Sequence, residues 1–390
     1  MNRKQVILLI VAVVVIGGLG LLVSNKKSQS WEASSQQLGG KVIKNLSVDV
    51  VNAVEQIKIR QHSGEVNLAK QGEVWGVQER GGYPANFGNI SDLLKKLMDL
   101  KVAQPVRVTE KQLTRLELTP PDKGTNSGTI VELKEKGGNT AASILLGKKH
   151  MKESPSSSPY GGGSWPDGRY VMVGNDPKTV AVVSEAFSNV EAKPEEWLEK
   201  EFFKIENHKS ISLTSTNVTN SWAVVKESQT NDWKLADAKA NEVLDTGKAS
   251  GVTSALSYPS FNDVATNTTP EKTGLDKPLV AKIETFDGFK YDVKIGKKVE
   301  DKEDYYIQLA VNANLQTERT AGKDEKPEDK EKLDKEFKDK LAKQEEKLKN
   351  EKAFEKWVYI VPKYTIDPLL KERKDLLKEE PKPEEKKEEK

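Results

Sequence analysis

The sequence has no cysteine among its 390 residues. Without thiols the chain can form no disulfide, no thiolate nucleophile and no cysteine metal site, and it offers no cysteine for lipid attachment near the N-terminus. Such a composition suits an extracytoplasmic bacterial protein, although many cytosolic proteins also lack cysteine. Thiol and disulfide chemistry are therefore excluded.

Histidine is almost as scarce, since the chain contains only His62, His150 and His208. None of the three has a second histidine at the spacing of a zinc-binding helix, and no G-x-S-x-G elbow is present. The Gly-Lys-Lys triplet at residues 147–149 lacks the flanking residues of a phosphate loop, so we interpret it as a turn that closes a hairpin. We expect a protein that is not an enzyme, with no catalytic residue, no cofactor and no metal.

A strong net charge is also missing. Lys and Arg total 62 and Asp and Glu total 60, which leaves a net charge of +2. A chain with so little net charge has no overall field that would attract nucleic acid. We therefore expect no nucleic-acid partner.

A long uncharged run occupies residues 6–23, between Arg3-Lys4 and Lys26-Lys27. About 18 residues at about 1.5 Å each span roughly 27 Å, close to the thickness of a bilayer core. A cleaved signal peptide is the alternative, but its apolar region is usually only about 7–15 residues long. We predict a single-pass anchor in the inner (cytoplasmic) membrane, with the tip and anchor in residues 1–30 and a linker in residues 31–50.

The short basic N-terminus decides the predicted orientation of this anchor. Basic residues before a first hydrophobic helix usually stay in the cytoplasm, although the lysines after the run weaken the comparison. The bulk of the chain is then extracytoplasmic, in the periplasm of a bacterium with two membranes. The membrane itself is the first predicted partner.

The body of the chain repeats one plan, which we assign to repeat 1 at residues 51–205 and repeat 2 at residues 206–370. Each repeat opens with an alternating strand and continues to a tryptophan, Trp75 or Trp233, and thirty-one residues later each has a valine, Val106 or Val264. Apolar residues at helical spacing lie between these points, in residues 89–100 and, more weakly, in 245–256.

Two further hairpins follow in each repeat. The first of them ends at Gly-Lys-Lys in both, at residues 147–149 and 296–298. The second is compact in repeat 1, where a short helical stretch at residues 184–189 follows it. We therefore predict an α+β fold: an N-terminal transmembrane helix plus two tandem repeats of antiparallel β-hairpins with packed helices.

The last hairpin of repeat 2 is interrupted by a charged segment at residues 318–356. Lys and Glu dominate it, with a thin apolar stripe, so we predict one long solvated helix, and a short helix partner along that stripe is the alternative. Residues 371–390 are nearly all Lys, Glu and Pro, and we predict that they form a disordered tail.

The matched residues Trp75 and Trp233 are the only candidate ligand platform that the sequence offers. Indole rings stack on sugars and peptides, and two rings at equivalent places suggest a shared role. Matched tryptophans of a repeat are also typical core anchors between a sheet and a helix, and both interpretations stay open.

The N-terminal run, the strand pair that leads to Trp75, the hairpin at residues 145–149 and the strands at residues 170–173 and 180–183 together resemble an uncharacterised family, "domain of unknown function 4340". Its members look like single-pass membrane proteins encoded near ABC transporters of the gliding-motility or auxiliary type. The resemblance implies an accessory subunit whose partners are the membrane subunits of an ABC transporter. The alternative is an envelope module that binds cell-wall glycan or peptide.

Overall fold

A computed structural model describes residues 35–153, 164–215, 220–322 and 325–379. Within these ranges no helix is both long and apolar enough to cross a membrane. The predicted anchor at residues 6–23 lies outside the described residues. The chain divides into two compact units, with the boundary between Glu199 and Lys200.

Unit 1 is built on one antiparallel sheet of nine strands. Its strands are β1 (Val54–Gln61), β2 (Gly64–Gln71), β3 (Val74–Val77), β4 (Tyr83–Pro84), β5 (Val102–Pro105), β6 (Thr129–Glu135), β7 (Thr140–Glu153), β8 (Ser164–Val173) and β9 (Ala181–Val183). They lie in the order β4-β3-β2-β1-β6-β7-β8-β9-β5. Three helices accompany them: α1 (Val48–Asn52), α2 (Phe87–Asp99) and α3 (Glu110–Arg115).

Unit 2 has an antiparallel sheet of eight strands. They are β10 (His208–Thr214), β11 (Trp222–Val225), β12 (Lys234–Leu235), β13 (Asp263–Ala265), β14 (Leu279–Thr285), β15 (Phe289–Lys298), β16 (Asp304–Ala313) and β17 (Val358–Pro362). Their order is β12-β11-β10-β14-β15-β16-β17-β13. The helices are α4 (Thr246–Thr253), α5 (Pro270–Thr273), α6 (Pro327–Lys352) and α7 (Lys363–Ile366).

The two strand orders correspond position by position, except that unit 2 has no equivalent of β4 among its described residues. In both, a strand from the middle of the unit, β5 or β13, joins the far edge beside the last hairpin. The α+β class with two antiparallel sheets is thus confirmed.

Alternating apolar residues explain why the central strands pair as they do. In β1, Ile57 and Ile59 are fully buried, and they lie opposite Leu68 and Val66 of β2. Because side chains alternate between the two faces of a strand, this register places one apolar face against the core. Helix α2 also has one apolar face, with four buried residues at helical spacing: Ile90, Leu93, Leu94 and Leu97.

Helix boundaries differ from the predicted ones where capping decides them. Helix α2 begins at Phe87, because the side chain of Asn86 accepts a hydrogen bond of 2.9 Å from the backbone N–H of Asn89. The predicted helix at residues 184–189 is wrong. There the guanidinium of Arg169 donates to the carbonyls of Ala186 and Phe187, and Phe187 has a left-handed φ of 48°.

The Gly-Lys-Lys triplet of unit 1 directly follows the last β6–β7 pair, Thr129 with Leu146, but it is not a turn, contrary to the prediction. Strand β7 continues through it to Glu153, with register shifts against β8 at the positions of Lys149 and Met151. In unit 2 the corresponding strand β15 does end at Lys298. In both units the triplet directly follows the last pair of the equivalent hairpin, Leu146 with Thr129 or Ile295 with Leu279, and only the length of strand after it differs.

The charged segment forms one long helix, α6, as predicted, but its second half is not a free projection. The side chain of Gln344 donates to the carbonyl of Asp287, and that of Lys347 donates to the carbonyl of Lys204 at 2.8 Å. The α6 helix therefore packs against unit 2 through its C-terminal turns.

The predicted disordered tail is wrong for residues 371–379. Arg373 is buried, and its guanidinium forms ion pairs with Asp237 at 3.0 Å and Glu242 at 2.6 Å. Leu376 is buried as well, and its carbonyl accepts a hydrogen bond from the N–H of Asp245. The two ion pairs of Arg373 and the burial of Leu376 stabilise the packed segment, although its other charged residues are well hydrated when it is unfolded. Residues 380–390 lie outside the described residues.

Candidate functional site

Trp75, the first predicted platform residue, is a core residue of unit 1. It lies in β3 opposite Lys70 of β2, and only 6% of its surface is exposed. Its carbonyl accepts a hydrogen bond of 2.8 Å from the N–H of Ala85. A ring that is so deeply buried has no free face on which a ligand can stack, and its burial favours the core-anchor interpretation.

An apolar groove of about 320 Å³ lies beside Trp75. Helices α1 and α2 and the start of β1 form its walls, whose apolar residues are Val48, Val51, Val54, Trp75, Phe87, Leu94 and Met98. Phe87, at the first position of α2, is 62% exposed at its rim. An exposed phenylalanine at the edge of an apolar groove is typical of a surface that contacts another molecule.

The charged residues at this groove are lysines. Lys70 and Lys95 both line it, and no carboxylate is among its described lining residues. The ammonium group of Lys70 lies 3.8 Å from the carboxylate of Glu73, which is itself almost fully exposed. The groove therefore suits an apolar segment that carries acidic residues at its side.

Trp233, the second predicted platform residue, lies immediately before β12 in unit 2 and is half-buried. The ammonium group of Lys226 is 5.6 Å from the centroid of its ring, a cation–π arrangement. Trp233 therefore differs from Trp75 in both burial and surroundings, and each lies in its own unit. Whether either tryptophan binds a ligand stays a prediction.

The three histidines have separate surroundings. His62 Nδ1 lies 3.4 Å from the carbonyl oxygen of Pro121, and His208 Nε2 lies 2.9 Å from that of Ala255. Burial lowers the pKa of His208. In the described parts of the chain, no group of three His, Cys, Asp or Glu side chains is arranged to hold a metal ion.

One titratable pair escaped the sequence analysis. His150 Nδ1 lies 2.6 Å from a carboxylate oxygen of Asp167, across the β7–β8 hairpin. The hydrogen bond from His150 lowers the pKa of Asp167. The two residues are seventeen positions apart in sequence, and the register of the hairpin brings them together. No local sequence motif therefore predicts the pair.

A second group that the sequence analysis missed is where α6 meets the sheet of unit 2. The Glu351 carboxylate accepts hydrogen bonds from the hydroxyl of Tyr291 at 2.7 Å and from the N–H of Lys204 at 3.1 Å. Burial raises the pKa of both Glu351 and Tyr291. The ammonium group of Lys347 lies 3.8 Å from the same carboxylate. This buried carboxylate holds the inserted helix in place.

Comparison with known proteins gives one match. Residues 75–278, just over half of the chain, match the family described as "Domain of unknown function (DUF4340)". The matched segment begins at Trp75 in β3 and ends immediately before β14, so it includes parts of both units. No curated protein and no solved structure matches the chain.

Proposed function

The chain belongs to the family "Domain of unknown function (DUF4340)", and from this premise we propose that it is a membrane-anchored, non-enzymatic accessory or scaffold protein of a bacterial envelope transport system. The system is of the ABC or gliding-motility type. Residues 6–23 hold the chain in the inner membrane, and units 1 and 2 lie on the extracytoplasmic side. The uncharged run and the basic residues before it support this placement.

The observation that carries the proposal is the apolar groove beside Trp75. A protein that acts by holding a partner needs a surface on which the partner packs, and exposed apolar area at a groove is the usual form of such a surface. Phe87 is exposed although it lies next to the buried face of α2, and Val48 of α1 is exposed at the same groove. Burying both side chains would stabilise a complex.

We assign the groove to an extracytoplasmic segment of a transporter membrane subunit. The two lysines at the groove favour a segment in which acidic residues flank an apolar anchor residue. An anchored protein meets such a segment at the membrane surface, which raises the effective concentration of both partners.

Co-purification from gently solubilised membranes tests the proposal. We expect the wild-type chain to retain a membrane subunit of an ABC-type transporter, identified by mass spectrometry after cross-linking. The Phe87→Asp variant should retain at least about tenfold less, because the loss of a central anchor side chain costs about 2 kcal/mol or more. Leu38→Asp, at an exposed leucine of unit 1 that does not line the groove, is the matched control and should bind as the wild type does.

Two results would contradict the proposal in different ways. Recovery of the wild-type chain as a free monomer, without any transporter subunit, rejects the accessory role. Full retention by the Phe87→Asp variant rejects the groove as the contact. Protease treatment of spheroplasts tests the topology separately, since a fully protected body would lie in the cytoplasm.

An envelope module that binds cell-wall glycan or peptide is the second candidate. Its support is weaker, because Trp75 is buried and only Trp233 keeps part of its ring near the surface. A screen of muropeptides by tryptophan fluorescence distinguishes the two candidates. A saturable change that Trp233→Phe abolishes would favour this second function over the first.

A further inference from the structure

A second groove on unit 1, which we call the basic groove, has a volume of about 700 Å³. It lies between helix α3 with the segment before it and the strands β7 and β8. Four exposed cationic residues line it: Arg107, Arg115, Lys148 and Lys149. His150 lines it as well. No carboxylate is among its described lining residues. The groove therefore collects positive charge of one sign in a concave surface, which concentrates anions.

None of the four exposed cations has an ion pair or a side-chain hydrogen bond to any residue that the structure describes. Asp167, which lies 2.6 Å from the lining residue His150, is engaged by that histidine. Other lysines of this chain, such as Lys58, Lys96 and Lys347, have a carboxylate oxygen within 4 Å. Here the cations are left to solvent or to a ligand.

A close approach of two backbones brings these cations together. A Cβ atom at Gly147 would lie 2.4 Å from the carbonyl oxygen of Leu116, so only glycine lets the end of α3 rest on β7. The N–H of Lys148 then donates to that same carbonyl at 2.7 Å. This contact places Arg115, the last residue of α3, beside the two lysines.

The irregular register of the β7–β8 hairpin also directs side chains towards the basic groove. In a regular strand, successive side chains point to opposite faces. The register of β7 against β8 shifts between Leu146 and Lys149 and again before Met151. A bulge of this kind re-aims side chains, and residues 148–151 all line the basic groove.

A buried cation adds to the potential beneath the groove. Arg169 lies opposite Lys149 across the two strands and is only 8% exposed. Its guanidinium donates to the neutral carbonyls of Gly147 at 2.7 Å and Phe187 at 3.1 Å, and the carboxylate of Glu117 attracts it without forming an ion pair. Burying this guanidinium costs desolvation free energy, and an anion bound in the groove beside Lys149 would offset part of that cost.

Unit 2 supplies an internal comparison, because the same backbone contact occurs there without free cations. A Cβ atom at Gly296 would lie 2.2 Å from the carbonyl oxygen of Thr273, at the end of α5. However, the ammonium group of Lys297 donates to the carbonyl of Glu271 at 3.0 Å, and Lys298 forms an ion pair with Glu303. The packing of the triplet therefore does not require unpaired lysines, and only unit 1 leaves them open.

We propose that the basic groove of unit 1 binds a phosphate-bearing anion through Arg107, Arg115, Lys148 and Lys149. Phosphate oxygens match both the planar fork of arginine and the point charge of lysine. Besides Gln112 and His150, the remaining wall is mainly apolar and includes Val106, Met151 and Tyr170. This wall suits a phosphate ester whose other part is apolar, and such a group is found in a soluble phosphate ester or in a lipid headgroup.

Amine footprinting of the full chain tests this proposal. The chain in neutral detergent is labelled with an amine acetylating reagent at increasing pyrophosphate concentration, and modification is measured by mass spectrometry at each lysine. We expect saturable protection of Lys148 and Lys149 by at least about tenfold, because two or more charge-assisted contacts form. Lys297 and Lys298 serve as the control within the same molecule and should not change.

A second arm distinguishes the two sources of phosphate. The full chain is reconstituted in phosphatidylcholine nanodiscs with or without phosphatidylglycerol. Protection that appears only with phosphatidylglycerol identifies a lipid headgroup, whereas protection by pyrophosphate in detergent identifies a soluble ester. No protection in either arm, or equal protection of the lysines in both units, overturns the proposal.

Calorimetric titration with pyrophosphate repeats the test on variants. Lys148→Gln/Lys149→Gln should weaken binding at least about tenfold, and Arg115→Gln should weaken it with the lysines intact. Lys297→Gln/Lys298→Gln is the matched control in unit 2 and should bind as the wild type does. Equal affinity of all variants would contradict the assignment. These outcomes do not depend on whether a transporter subunit co-purifies, so this inference and the proposed function fail or stand separately.

Discussion

The hydroxyl of Tyr291 donates a hydrogen bond of 2.7 Å to the carboxylate of Glu351 in the interior of unit 2. Tyr291 belongs to β15 and Glu351 to the last turn of α6, so the bond joins the inserted helix to the sheet. Glu351 is only 5% exposed, and a buried carboxylate persists only where donors satisfy its oxygens. This pair helps explain why a helix in which Lys and Glu predominate has a defined place in the fold.

Tyr291→Phe should lower the free energy of unfolding of unit 2 by about 1–3 kcal/mol, because it leaves a buried carboxylate oxygen without its donor. Urea unfolding, with hydrogen exchange of the β15 and α6 amides, measures the change. Tyr306→Phe is the matched control, since the hydroxyl of that half-buried tyrosine of β16 has no hydrogen bond to a described residue. Equal stability of the Tyr291 variant and the wild type would show that the bond contributes nothing.

The stability of unit 2 should decrease as the pH rises above the ordinary range of a glutamate. Burial raises the pKa of Glu351, so the folded state holds a proton that the unfolded state has already released. The stabilisation is fully present below the unfolded pKa of 4.5 and is lost as the pH rises through the folded pKa. Glu351→Gln should flatten this part of the pH profile, and Glu346→Gln, at an exposed position of α6, should leave it unchanged. A Glu351→Gln profile identical to that of the wild type would reject the prediction.

Trp75→Ala should unfold or strongly destabilise unit 1, by about 3–5 kcal/mol, because it removes a large side chain from the core. Thermal unfolding followed by circular dichroism measures the loss. Trp165→Ala is the control in the same unit, since Trp165 of β8 is 46% exposed, and it should change stability much less than Trp75→Ala. A folded Trp75→Ala protein of unaltered stability would instead favour a ligand-binding role for this residue.

Gly147→Ala should destabilise unit 1 by about 1–3 kcal/mol, because its Cβ would meet the Leu116 carbonyl. Gly296→Ala should do the same to unit 2, where the Thr273 carbonyl is even closer. Gly322→Ala is the control, since no atom of the described residues lies within 4 Å of a Cβ at that position. Unfolding in guanidinium with a probe in each unit separates the effects. Tolerance of alanine at both triplets would mean that the backbones do not approach so closely.

Arg373→Gln should release the segment at residues 371–379 from unit 2. The hydrogen bond from Arg373 lowers the pKa of Glu242 to about 2, so the pair stabilises the segment above the ordinary pKa of 4.5 and loses that effect as the pH falls towards about 2. Limited proteolysis at neutral pH should cleave the variant faster between residues 371 and 379. Lys374→Gln, which removes only an exposed ion pair with Glu372, is the control. Equal cleavage of both variants would contradict the assigned role of Arg373.

Much of the fold could be predicted from the sequence, because its elements depend on local patterns. Alternation in residues such as Ile57 and Ile59 indicated strands with one buried face, and the α+β class followed. The candidate sites were less accessible to prediction. The basic groove depends on the contact between Gly147 and Leu116. The position of α6 on the sheet depends on Tyr291 and Glu351, which are 60 positions apart.

The sequence by itself determined four properties of this protein: the absence of thiol chemistry, a net charge close to zero, an uncharged run at residues 6–23 and two stretches with the same order of patterns. Tertiary structure alone decided that Trp75 is buried, that residues 184–189 are not a helix, and that residues 371–379 pack on unit 2. The physical reason is that periodicity reports which face of an element is apolar, whereas the partner of a given group is set by distant parts of the chain. Arg169 and Arg373 are examples, since each contacts groups that are distant in the sequence and that no local pattern places beside it.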